Sequence, residues 1–151
     1  MDIIQELETH ICTELEAPLA SLAKVLPWPE DTKKFPQPKG GCYCLVRYQT
    51  DRAMGEPAAS AQKGVLRQTI RFLFELRLVT PALMERAKGY SILGLIKRAL
   101  NAFAPTVKTP EYAVKLPGFF FLEQGLMPTK TQGVREFAAI YAVDLNYSKR
   151  R

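Results

Sequence analysis

Histidine is almost missing from this chain, with His10 alone among 151 residues. An imidazole is the usual general acid or base at neutral pH, and a catalytic histidine normally has partners. His10 lies on an amphipathic stretch, so a helix-flank role is expected. No second histidine and no Cys-x-x-Cys pair accompanies it, which disfavours a His/Cys zinc site. Cysteine is scarce and odd in number, and Cys12, Cys42 and Cys44 are expected to be reduced, mostly buried thiols. Cys42 and Cys44 are read as facing opposite sides of one strand. Neither Gly40-Gly41 nor Gly55…Gly64 has the spacing of a phosphate loop, and no Gly-x-Ser-x-Gly elbow occurs. These absences point away from an enzyme, with no cofactor, metal or catalytic residue expected. A carboxylate-only active site leaves no motif, and would show itself as a deep pocket of converging acids.

Long apolar runs are also lacking. None reaches the roughly 18–20 residues that span a bilayer, and the start, Met1-Asp2-Ile3-Ile4-Gln5-Glu6, has no basic, signal-like region. A cytosolic protein with no membrane partner is expected. Basic residues are missing from the first twenty positions, which hold Asp2, Glu6, Glu8, Glu14 and Glu16. The other positions carry 21 Lys+Arg against 15 − 5 = 10 acids, or +11, within an overall charge of +6. Such asymmetry suits an acidic element docking on a basic surface of its own chain or a neighbour's, or simply a solvated helix face.

What is present reads as one α+β domain over residues 1–151, and 47% hydrophobic composition suffices for a core without disulfides. Ile4, Leu7, Ile11 and Leu15 recur at helical spacing, predicting a helix over about residues 2–16, with Pro18 ending or kinking it. Leu22, Val25 and Leu26 extend that stripe at most to Pro27-Trp28-Pro29. Residues 27–41, rich in proline and charge, predict an extended connection. Cys42 to Tyr48 suits a short strand, and residues 50–64 predict a mobile docking loop that includes Arg52, Met54, Gln62 and Lys63. Over residues 65–79, Leu66, Ile70, Phe72, Phe74, Leu76 and Leu78 alternate with Arg67, Thr69, Arg71, Glu75 and Arg77, as in a long strand with one buried face.

Thr80-Pro81 reads as a helix start, followed by a stripe of Leu83, Ala87, Tyr90, Leu93, Ile96, Leu100 and Phe103. Residues 112–123 predict a strand interrupted by Pro117-Gly118, on an edge or with a bulge. Residues 134–147 predict a last strand with Phe137, Ala139, Tyr141, Val143, Leu145 and Tyr147 on its apolar face, and residues 148–151 a disordered basic tail. The order αββαββ predicts a four-stranded, mainly antiparallel sheet with two helices packed on one face.

This ordered pattern resembles a family of short tail proteins of Mu-like phages and prophages, in the tail-terminator class. The resemblance rests on the helix from Ile4 to Leu15, the strand Cys44-Leu45-Val46-Arg47-Tyr48, the entry Gln68-Thr69-Ile70-Arg71-Phe72, and the helix ending Leu100-Asn101-Ala102-Phe103-Ala104-Pro105. It spans nearly the whole chain, but the Met54–Gly64 loop and Pro117-Gly118 have no close match in the family pattern. It implies a subunit that forms a ring, expected to be a hexamer, on the last ring of the tail tube. That ring would stop tube polymerisation and present a surface to the head-completion connector. The chain would be cytoplasmic in the host before assembly and in the virion tail afterwards, with nonspecific contact to DNA in the channel left open. No catalytic residue carries over. The charge asymmetry adds an expected interface, Glu6, Glu8 and Glu14 on one copy against Arg67, Arg71 and Arg77 on another. A small basic nucleic-acid-binding accessory protein is the alternative, resting on the arginine row and the terminal Lys149-Arg150-Arg151.

Overall fold

The spacing of Leu7, Ile11, Leu15 and Leu19 does produce the first helix, α1 (Ile3–Leu19), and all four are buried. The structure, a computed structural model, describes residues 2–29, 41–54, 65–108, 113–128 and 133–150. Asp2 caps α1, its Oδ1 accepting from the Gln5 N–H at 2.9 Å, which satisfies one of the free donors of the first turn. Pro18 lies inside the last turn, and the helix ends one residue later. The apolar stripe is not extended beyond it. Ala23–Pro27 instead forms a strand, β1, because Ala23 to Pro27 pairs in parallel with Cys42 to Val46.

The remaining elements are β2 (Cys42–Met54), β3 (Val65–Pro81), α2 (Arg86–Leu100), β4 (Thr106–Lys108), β5 (Ala113–Lys115), β6 (Phe120–Met127) and β7 (Val134–Arg150). The expected four strands are β2, β3, β7 and β6, which lie antiparallel side by side. The sheet has a fifth member, since β1 joins in parallel beyond β2 and makes it mixed. Thr106–Lys108 and Ala113–Lys115 form a separate antiparallel pair, β4–β5. The segment around Pro117-Gly118 divides the expected strand into β5 and β6, and β6 is an edge strand with a register shift between Phe121 and Glu123.

Several boundaries correct the sequence reading, each because sheet pairing overrides a local signal. Thr80-Pro81 does not start a helix. Thr80 pairs with Arg135 and Pro81 with Val134, Thr80 is buried, and its hydroxyl donates to the Arg135 carbonyl. A residue before proline is itself pushed toward extended backbone, which favours the strand. Leu83 therefore falls outside the helix and is fully exposed, while Ala87 is exposed on it. Arg52 and Met54 belong to β2, paired with Arg71 and Thr69, and not to a loop; Gln62 and Lys63 lie outside the described residues. The backbone of residues 148–150 continues β7 opposite Val65 to Arg67, where a disordered tail was expected.

Both helices pack on one face of the sheet. A single core joins Leu7, Ile11, Leu15 and Leu19 of α1 and Ile92, Leu93, Ile96 and Leu100 of α2 to Cys44, Phe72, Phe74, Leu76, Leu78, Phe137 and Tyr141. Cys42 and Cys44 both lie in this core, correcting the expectation of opposite faces, since strand side chains return to the same side at every second residue. Burial pushes the Cys44 thiol up to about 12 and, with Glu8 and Glu16 beside it, the Cys12 thiol up to about 11, so both stay protonated and weakly nucleophilic.

One tight spot locks the passage from α2 to β6. Ala102, at φ 66°, turns the chain out of the helix, and its N–H donates to the Phe119 carbonyl while the Phe119 N–H donates to the Phe103 carbonyl. Gly118 lies so close that an added Cβ would sit 2.6 Å from the Ala102 Cα. The obstacle is backbone and cannot rotate away. Gly118→Ala is expected to cost about 1–3 kcal/mol, read as a lower urea midpoint with an unchanged slope.

Candidate assembly surfaces

On the helix-free face of the sheet, the register sets side chains in rows across the strands. One row is Leu45, Arg77, Ala138 and Gly125; the next is Arg47, Glu75, Ile140 and Glu123; a third ends with Arg52, Arg71 and Asp144. Glu136 follows in the row of Val79 and Met127. Arg52 reaches this face because β2 carries an extra residue at Gln49, where the register slips between Tyr48 and Thr50. Glu8 of α1 occupies that bulge, its Oε1 accepting from the Tyr48 N–H at 2.8 Å.

The charges on this face consume one another. Glu75, 5% exposed, accepts from Arg47 Nη2 at 2.9 Å and from Arg77 Nη2 at 2.6 Å, and Arg77 Nη1 reaches Glu136 at 3.2 Å. Arg71 Nε binds Asp144 Oδ1 at 2.8 Å, a hydrogen bond that raises the Arg71 pKa. The Trp28 ring lies under the guanidinium groups of Arg47 and Arg77, 4.0 and 5.3 Å from its centroid, and the Phe120 ring under Arg71. In these rows four arginines (Arg47, Arg52, Arg71, Arg77) stand against four acids (Glu75, Glu123, Glu136, Asp144), so the sum is zero. The expected basic row is thus an electrically balanced lattice. Glu75 and Glu123 do line one shallow depression, but Glu75 is already held by two arginines.

The acids of α1 divide into two groups. Glu8 holds the β2 bulge, and Glu6 Oε2 accepts from the Lys108 N–H at 2.7 Å, tying α1 to β4. Glu14 is half-buried and Glu16 exposed. Arg67 pairs with Ser148 in the β3–β7 ladder, four residues before Arg71. The structure therefore brings Arg71 and Arg77 onto one face, while Glu6, Glu8 and Glu14 lie on the helix layer on the other side of the sheet.

Sequence reading missed two features. Arg47, Trp28, Glu136 and Asp144 complete the lattice, and their proximity depends on register, which no local pattern announces. The second feature was legible, because residues 85–98 hold Arg86, Lys88, Lys97 and Arg98 against Glu85, a sum of 4 − 1 = +3. Arg86, Lys88 and Arg98 are exposed on α2, whereas Lys97 lies 3.8 Å above the Phe121 ring.

Among the described residues, no cluster of three or more His, Cys, Asp or Glu could hold a metal, and no helix is long and apolar enough to cross a membrane. No family model and no curated protein matches this chain. Its fold is nevertheless shared with a solved chain from the virion of the native gene transfer agent (GTA) particle, at a TM-score of 0.55 and 14% identity, over 97% of this chain and 100% of that one.

Proposed function

We propose that this chain is a structural subunit of a phage-like virion, acting at the end of the tail as a tail terminator. Copies join in a ring, taken as a hexamer, that sits on the last ring of the tube protein. The ring ends polymerisation of the tube and offers the surface on which the head-completion connector docks. No bond is made or broken in this role, so it asks only for complementary surfaces and a rigid subunit. The supporting observation is the fold likeness to a gene transfer agent virion chain, which covers both chains almost end to end. A partial match could reflect a common supersecondary motif alone, whereas this one runs over 97% of this chain and 100% of the other. The nucleic-acid reading loses its chief support, because Arg71 and Arg77 are held by Asp144, Glu75 and Glu136.

The test uses a strain that releases particles encoded beside this gene. Antibody labelling against the chain is expected at one end of the tail, and deletion of the gene is expected to give overlong tubes without heads, seen by negative-stain electron microscopy. Tails of normal length joined to heads in the deletion strain would refute the proposal.

A further inference from the structure

The outer faces of the two helices carry stripes of opposite charge and matching length. On α2, Arg86, Tyr90, Gly94 and Arg98 follow one another at four-residue intervals, and all are exposed. On α1, the solvent side carries Asp2, Glu6, Thr9, Thr13 and Glu16, acidic at both ends and small in the middle. At 1.5 Å per residue, Arg86 and Arg98 stand about 18 Å apart; Glu16 stands about 15 Å from Glu6 and about 21 Å from Asp2. Two cations at the ends of one stripe thus meet two acidic ends on the other.

Three observations indicate that these stripes are not spent inside the subunit. Among the described residues, Arg86, Arg98 and Glu16 make no ion pair, and Asp2 and Glu6, which accept from the Gln5 and Lys108 N–H groups, meet no cation. Each helix also carries charge at the wrong end for its own dipole: Arg86 stands in the first turn of α2, which has no acid, and Glu16 near the end of α1, whose last turn has no base. Finally, Gly94 weakens α2 relative to alanine, and a Cβ there would meet nothing within 4 Å, unlike Gly89, where Phe137 fills the space. Internal packing gives no reason for a glycine at position 94. Close approach of another helix does.

We infer that the α2 stripe of one copy receives the α1 stripe of a second copy, with Arg86 and Arg98 facing the acidic ends and Gly94 and Tyr90 against Thr9 and Thr13. The contact joins two different patches, so it propagates head to tail and can close a ring. Arginine and tyrosine are enriched at such contacts, and opposed charge fixes register. It rests on the assembly reading above and replaces the helix-to-sheet pairing with one whose charges meet no opposite charge among the described residues of the subunit.

Sedimentation velocity of the purified chain at low ionic strength tests it. The unaltered chain is expected to self-associate, and added salt to weaken the association. Arg86→Glu/Arg98→Glu and Glu6→Lys/Glu16→Lys should each weaken it about tenfold or more with the circular dichroism spectrum unchanged, and Glu6→Gln, which keeps an acceptor for the Lys108 N–H, separates loss of charge from loss of that bond. A mixture of these two variants should associate although neither does alone, and the fourfold variant should recover association with itself. Gly94→Leu, whose Cβ meets nothing within 4 Å in its own subunit, should block association while leaving the circular dichroism spectrum unchanged. An unaltered chain that stays monomeric at low salt, or variants that associate as well as it does, overturns this contact. Because the measurement involves no tail component, that outcome would leave the tube-length result in the deletion strain standing on its own.

Discussion

Phe74→Ala is expected to destabilise the fold by about 3–5 kcal/mol, the range for removing a buried aromatic ring. Phe74 is fully buried at the middle of β3, and its ring meets Tyr48 and Phe119 edge to face, each at 6.1 Å between centroids. Those contacts link β2, β3 and the segment entering β6, so the cavity would open where three parts of the chain meet. Tyr141 lies opposite on β7, and its buried hydroxyl has no hydrogen-bond partner among the described residues. For a chain of this size the loss corresponds to a melting temperature lower by about 10 °C, measurable by differential scanning calorimetry. Leu122→Ala, at a 39% exposed position on β6, is the control, and should stay within about 0.5 kcal/mol of the parent. Equal effects at the two positions would mean that the helix-side core is not centred on β3.

Glu75→Ala is expected to cost about 2–4 kcal/mol, somewhat below the 3–5 kcal/mol for breaking a fully buried pair. The discount arises because the Arg47 side chain is 42% exposed and can recover water, whereas Arg77 is 17% exposed and would keep Glu136 and the Trp28 ring. Arg47 Nε already lacks a hydrogen-bond partner among the described residues, so removing Glu75 leaves its guanidinium held chiefly by the Trp28 ring. Glu75→Gln, which keeps shape and one acceptor, should fall between the parent and Glu75→Ala in chemical denaturation. A cost under about 0.5 kcal/mol for Glu75→Ala would show that the lattice behaves as an ordinary surface ion pair.

The two substitutions separate what local pattern could reveal from what it could not. Phe74 was identifiable as core because alternation along β3 is a two-residue rhythm, which a strand imposes wherever one face is buried. Glu75 read as one charge in a wet row. Its burial depends on Arg47, 28 residues earlier in the chain and directly opposite it on β2, and on Trp28, which enters from the connection after β1. Similarly, Thr80-Pro81 carries a good helix-start signal, but pairing with Arg135 and Val134 outweighs it. Glu6 and Glu8 illustrate the same point, since their acidity was visible while their partners, the N–H groups of Lys108 and Tyr48, were not.

By itself, the chain's sequence determined two amphipathic helices and the long central strand with its buried face, because side-chain period and residue type are local properties. Tertiary structure alone decided the parallel fifth strand, the bulge at Gln49 that sets Arg52 beside Arg71, and which charges remain free for a partner. The physical reason is that register and ion pairing join residues far apart along the chain. Arg71 and Arg77, read as a basic row along β3, are paired with acids of β3 itself and of β7, while Arg86 and Arg98 on α2 make no ion pair among the described residues.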